Sequence, residues 1–408
     1  MIVPYDTERP NKTLPYSTAA LIAVNLAVYI YQYFFANPVR IINTYGFTPA
    51  DPTWYGALTS EFVHSGFSHL AGNMMFLWVF GRDVEDALGH YFFVLLYLVG
   101  GLGADVMHAT VVSAADPAAA QVSLVGASGA ISAIMGLYAV RFYRTNVLVW
   151  YVWGLWFFYW RTGTFKVKAG WFIGLWFVWQ ALAGFVTAAM KIPSGVAYWG
   201  HVGGTFVGLL AAILIGSPKE AKVEYQVEDA KSAEASGAGG ASGSAIYQWG
   251  RVLNTDPTNI EAHLKIGEAY ARGGQVENAA NHLTIAFSLL AERGNREKAA
   301  AAYAEVLAVG QRVVLPPDIL FRLACDCEET GRVAEAEKAW MSLADNYPTV
   351  PDGGTALIRL ANLREHNLAI PQGAAEAYAR YLKAYPNGEW RDLALAGLLR
   401  VGKKETAT

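Results

Sequence analysis

Six apolar runs, at about residues 17–36, 67–82, 91–113, 124–143, 169–190 and 198–216, fill the first half of this 408-residue chain. Runs of this kind are stable as helices that satisfy their own backbone inside a hydrocarbon layer. The charges divide accordingly. Residues 1–216 carry 10 Lys/Arg and 9 Asp/Glu, whereas residues 217–408 carry 21 and 25. Ten of the 13 tryptophans also lie in the first half. The chain therefore reads as a membrane domain followed by a water-soluble one. With a net charge of −3, neither half looks like a nucleic-acid binder.

The basic residues predict orientation. With the N-terminus inside, the internal segments carry Arg9, Lys12, Arg82, Arg141, Arg144, Arg161, Lys166, Lys168, Lys219 and Lys222, and the external loops only Arg40 and Lys191. That asymmetry puts both termini in the cytoplasm. Val147 to Trp160 is apolar and aromatic, but too short for a span and basic on both flanks, so it reads as an interfacial or re-entrant element on the cytoplasmic side. The first external loop, 37–66, is long, and its Trp54 and Tyr55 argue for order at the membrane surface. Residues 1–16 are polar and show no signal peptide.

Past Ser217-Pro218 the composition shifts. Residues 217–244 read as a flexible linker, with an Ala/Ser/Gly run from Ala235 to Ser244. Residues 245–402 are Ala-rich and helix-periodic, and 403–408 form a tail. Three places look alike: Ile266-Gly267 with Tyr270, Gly274 and Ala279; Leu323-Ala324 with Gly331, Ala336, Trp340 and Pro348; Leu360-Ala361 with Ala374, Tyr378 and Pro386. Small residues where helices cross, large ones between them and Pro at the turn resemble tetratricopeptide repeats. An unrelated helical bundle is the alternative. Either would bind a peptide or protein partner rather than perform chemistry. Cys325 and Cys327, the only cysteines, form no disulfide framework and read as small helix residues.

Polar residues at membrane depth are costly and therefore informative. Ser128 lies in Gly126-Ala127-Ser128-Gly129 within the fourth run, and His201 opens His201-x-x-Gly204-x-x-x-Gly208 in the sixth. A serine with a base is the minimum apparatus for nucleophilic catalysis. His69 and Asn73, four apart in the second run, share a helix face and suit the donor set an oxyanion needs.

These three motifs, in this order and in these spans, resemble the signatures of rhomboid intramembrane serine proteases over residues 15–216. The resemblance implies an all-α fold: a six-transmembrane-helix bundle over 1–216, here followed by the soluble tetratricopeptide-like helical domain. It implies Ser128 as nucleophile, His201 as base without a required carboxylate, and His69, Asn73 and the Ser128 N–H as oxyanion donors. Gly129, Gly204 and Gly208 would let the fourth and sixth helices approach closely. Gly81-Arg82-Asp83-Val84-Glu85 resembles the family's structural Gly-x-x-x-Glu turn, and His64 a family position that helps structure the site.

Two departures stand out. The family commonly places an aromatic ring four residues after the serine, against the histidine; here that position is Ser132, whose hydroxyl has a backbone carbonyl or His201 as partner. The first loop has Tyr55-Gly56 where Trp-Arg is common. Among other polar residues, Asp105 and His108 read as a satisfied pair near the external end of the third span, with the water cavity as the alternative. Phe172, Trp176 and Trp179 read as packing or lipid-facing aromatics, with a lateral substrate gate as the alternative.

The expected function is cleavage of transmembrane segments near the external face. A catalytically silent binder of membrane helices is the alternative. The expected partners are transmembrane protein substrates, the lipid bilayer and a ligand of the C-terminal domain. No cofactor or metal is expected, and a bacterial inner membrane is the expected location.

Overall fold

The computed structural model describes residues 2–155, 159–192, 194–235, 242–310 and 313–405. The chain divides into two compact units, Met1–Ala221 and Lys222–Thr408.

The first unit opens with strand β1 (Ile2–Thr7) and helix α1 (Tyr16–Ile30), which runs into a single π-helical turn, Tyr31–Phe35. Helices α2 (Pro38–Tyr45) and α3 (Trp54–Thr59) then order the long first loop. Each starts on a side-chain cap, Asn37 accepting from the Arg40 N–H and Thr53 from the Gly56 N–H. The larger helices are α4 (Phe67–Leu88), α5 (His90–Ala115), α6 (Ser128–Arg141), α7 (Ala169–Met190) and α8 (Tyr198–Leu214). Only Gly89, at φ +75°, separates α4 from α5.

Helices thus occupy all six apolar runs. By length and composition three are able to cross a membrane: Tyr16–Phe35, His90–Ala115 and Ala169–Met190. A fourth appears if Tyr198–Leu214 and helix α9 (Ser217–Ala235), bent by 70°, count as one span. The expected linker is thus helical over Ser217–Ala235, where charged helix formers replace the glycines that follow. Residues 236–241 of that linker lie outside the described residues.

The expectation of an all-α fold needs correction, because the mostly helical chain also contains a sheet. Strands β2 (Asn146–Leu155) and β3 (Tyr159–Lys168) form an antiparallel hairpin, and β1 pairs with β2 from Ile2↔Tyr151 to Thr7↔Val147. The run Val147 to Trp160 is therefore mainly strand. Its β-branched and aromatic residues suit a pleated surface, with Val147 and Val149 buried and Trp150 exposed between them and Tyr151. Gly81 to Glu85 is likewise not a turn but part of α4. Its role is structural: Glu85 accepts from the Ser17 and Thr18 N–H groups and the Thr18 hydroxyl, closing the N-terminus of α1. Neighbouring Asp83 accepts from Thr7 of β1 and Tyr138 of α6, each at 2.8 Å.

Helix α6 is the centre of this unit and is buried from Ala130 to Tyr138. Its 14 residues are fewer than the fourth apolar run, whose first residues pair with the first loop instead of joining the helix. A Cβ on Gly204 would overlap the Gly129 carbonyl, and one on Gly208 the Ala133 carbonyl. Backbone-to-backbone approach of α6 and α8 therefore depends on these glycines.

The second unit contains α10 (Ser242–Thr255), α11 (Ile260–Arg272), α12 (Val276–Glu292), α13 (Arg296–Ala308), α14 (Pro317–Glu329), α15 (Val333–Asn346), α16 (Pro351–His366), α17 (Pro371–Ala384) and α18 (Arg391–Glu405). The three similar segments fall on the helix pairs α11–α12, α14–α15 and α16–α17. Gly267 lies against Leu283 and Ala279, while Ala324, Ala336, Ala361, Ala374, Trp340 and Tyr378 are buried. Cys325 and Cys327 are free thiols on α14, and burial pushes the Cys327 thiol up to about 12.

Candidate functional site

Ser128 is the first residue of α6. The four residues before it are not helical, so the Gly126–Gly129 motif marks a helix start rather than the middle of a span. Leu124 forms an isolated antiparallel bridge with Phe47, Ser123 shares a hydroxyl hydrogen bond with Thr48, and the Gly126 N–H donates to the Ser60 carbonyl at 2.8 Å. The first loop thereby straps the approach to Ser128. A helix N-terminus directs unpaired N–H groups and positive partial charge outward, which favours a developing anion.

Gly126 has φ +118°, a left-handed conformation that admits little besides glycine. It also has no room for a side chain. A Cβ there would meet His69 Cε1 at 2.6 Å, His69 Nε2 at 2.7 Å and Asn73 Nδ2 at 3.3 Å. The structure thus brings the His69–Asn73 face of α4 against the residue two before Ser128.

Asn73 is held by His64. The Asn73 amide nitrogen lies 2.9 Å from His64 Nε2, and His64 Nδ1 faces the Phe62 carbonyl at 3.4 Å. Burial, and secondly the nearby His69 ring, lower His64 to about 4, so its neutral ring accepts from the amide. Gln32 fixes the backbone of His64: its amide nitrogen donates to the His64 carbonyl at 2.8 Å and its oxygen accepts the His64 N–H at 3.4 Å. Gln32 sits on the π-helical turn, a local feature frequent at functional sites. Ser65 in turn bonds His69 Nδ1 at 3.0 Å.

His201 projects from α8. It lines one cavity together with Ser128, Gly126, Gly200, Glu61 and Asp105. Among the described residues no direct hydrogen bond joins Ser128 to His201; such bonds often tighten only when substrate is bound. The ring's Nδ1 lies 2.8 Å from Gln180 Oε1, and its face lies 5.7 Å from the Trp176 ring at 35°. Both partners come from α7.

Ser132 donates to the Ser128 carbonyl at 2.6 Å, which resolves its choice of partner in favour of backbone. Its Cβ lies 3.1 Å from where a Gly204 Cβ would stand, so Ser132 borders the close α6–α8 approach.

Asp105 and His108 do not form the expected satisfied pair. Buried Asp105 Oδ2 and His108 Nδ1 each lack a hydrogen-bond partner among the described residues. Asp105 lines the cavity instead. The gate aromatics also separate: Phe172 stacks on Phe80 at 6.1 Å, Trp176 faces His201, and Trp179 is exposed.

Two cavity or histidine partners escaped the sequence pattern. Glu61 precedes the second apolar run in a loop where no periodicity places it. Its buried carboxyl occupies the space a Gly101 side chain would fill, and burial, then Asp105, push it well above the ordinary range. Gln180 is a polar interruption of a mainly apolar run, the one mark the sequence gives it. No group of three or more metal-ligating side chains occurs among the described residues.

Residues 51–218 match the family model described as the Rhomboid domain. The chain is 34% identical over 120 residues to Rhomboid-like protein 11, chloroplastic, of Arabidopsis thaliana, 31% over 172 residues to Rhomboid protease GluP of Bacillus subtilis, and 33% over 101 residues to Rhomboid protease AarA of Providencia stuartii. The matches cover 29%, 42% and 22% of this chain and 39%, 28% and 36% of those relatives. The chain thus spans well under half the length of each. Two of these three relatives are named as proteases. Among solved structures, that of the MamA protein aligns over 40% of this chain and 92% of its own at 18% identity and a TM-score of 0.21.

Proposed function

We propose that the chain is an intramembrane serine endopeptidase that cleaves transmembrane segments near the external face. The observation that carries this is the convergence at one cavity: Ser128 at the start of α6, His201 on α8, and Gly126 in contact with His69 and Asn73. Ser128 Oγ attacks the scissile carbonyl carbon while His201 Nε2 takes the hydroxyl proton. His69, Asn73 and the Ser128 N–H stabilise the resulting oxyanion, aided by the α6 N-terminus. The intermediate collapses, the C–N bond breaks, and His201 returns its proton to the leaving amine. Water then attacks the acyl-enzyme, giving a proton to His201 and finally restoring the serine hydroxyl. Glu61 and Asp105 give the cavity the polarity such a water requires.

In this reading the six long helices of the first unit form six spans, with both termini in the cytoplasm of a bacterial inner membrane. The β2–β3 hairpin, with Trp153 and Trp160 exposed, lies at the cytoplasmic interface. The second unit is a tetratricopeptide-like domain that binds a peptide or protein partner. The test is cleavage of a model membrane substrate in proteoliposomes. Ser128→Ala and His201→Ala abolish it if the reading holds. Full cleavage by Ser128→Ala overturns it, and a wild type that binds but never cuts identifies a silent helix binder.

A further inference from the structure

The base has a holder that the serine and histidine motifs do not contain. Gln180 is buried in α7, a helix otherwise apolar apart from Thr187, whose hydroxyl is satisfied by carbonyls of its own helix. A primary amide in such a position is costly without a partner. Its partner is His201, with Gln180 Oε1 2.8 Å from Nδ1. Trp176 stands one turn earlier on α7 and faces the same imidazole at 5.7 Å.

We propose that Gln180 and Trp176 are positioning residues for His201, Gln180 fixing its tautomer and Trp176 its ring plane. The inference rests on His201 being the base. A neutral imidazole carries one N–H and one lone pair. An acceptor at Nδ1 places the proton there and leaves Nε2 unprotonated, the form able to take a proton from serine. A buried acidic partner does this in serine hydrolases with a triad. Gln180 does it here with a neutral amide, which orients the ring without adding a charge to a low-dielectric site. Position 132 has no ring, and Trp176 of α7 faces the imidazole instead.

Four other groups bear on this ring. His69 of α4 and His108 of α5 act on it electrostatically, and Glu61 and Asp105 share its cavity. None supplies a hydrogen bond to Nδ1 among the described residues.

The test combines 15N-histidine NMR of the full-length protein in detergent micelles with activity measurements. The wild type is expected to show His201 protonated at Nδ1. Gln180→Leu should give a tautomer mixture and lose about tenfold or more in kcat with little change in KM. Gln180→Glu retains an acceptor, so it should keep the Nδ1 proton and cleave, with the acidic limb of its pH profile moved to higher pH by the added carboxylate. Trp176→Phe should retain more activity than Trp176→Ala. An identical His201 signature in wild type and Gln180→Leu overturns the assignment. Labelling by a serine-directed fluorophosphonate separates the two ideas. If Ser128 labels but Gln180→Leu leaves the tautomer unchanged, the positioning role fails alone. If Gln180→Leu changes the tautomer but Ser128 never labels, the nucleophile reading fails while Gln180's hold on His201 stands.

Discussion

His64 accepts a hydrogen bond from the Asn73 amide at 2.9 Å, so a residue just outside the second apolar run aims one of the candidate oxyanion donors inside it. The expected consequence is coupling. Asn73→Ala should cost about 100-fold in kcat. His64→Ala should cost about tenfold by releasing the amide, and the double variant should be no worse than Asn73→Ala alone. Additive losses would show that His64 acts elsewhere.

Burial of the same imidazole gives the first unit a pH dependence. His64 falls from about 6.5 in the unfolded chain to about 4 in the fold, because of burial and then His69. The folded state therefore binds fewer protons than the unfolded one between these values. The stabilisation is complete above pH 6.5 and is lost as pH falls towards 4, by an amount on the order of 3 kcal/mol. Thermal melts of the wild type should become less stable through this window. His64→Phe should show a shallower decline, measured in the same detergent.

Close helix approach makes a sharp glycine prediction. Gly208→Val forces a side chain into the Ala133 carbonyl and should cost about 3 kcal/mol or prevent folding. Gly174→Ala on α7 meets nothing within 4 Å and should melt within about 1 kcal/mol of the wild type. Equal behaviour of the two variants would remove the close-packing explanation.

At position 132 the ring common in relatives should not help. Ser132→Ala loses the bond to the Ser128 carbonyl and should cost about 1 kcal/mol. Ser132→Phe crowds α8 at Gly204 and should lower both stability and cleavage further. A Ser132→Phe protein more active than the wild type would mean that α8 readily moves aside.

Much of this was legible in the residues. Apolar runs located the long helices, because scarce charge and a backbone that must satisfy itself in hydrocarbon leave few alternatives. Motif order singled out Ser128, His201, His69 and Asn73, and the structure gathers Ser128 and His201 at one cavity and sets the other two against Gly126. The hairpin at 146–168 was hidden because its apolar, aromatic first strand between basic flanks also fits an interfacial element, and the pairing of that strand with β1 spans more than a hundred residues. Ser128 at a helix start was also hidden, since the apolar run continues across the helix boundary at residue 128. Gln180 and Glu61 act through neighbours distant in sequence, so neither belongs to a local pattern.

The most direct measurement is fluorophosphonate labelling of the full-length protein in native membranes, with Ser128→Ala alongside. The account predicts one labelled serine in the wild type and none in Ser128→Ala. Equal labelling of both proteins, or none in a folded wild type, would contradict the assignment of Ser128 as nucleophile.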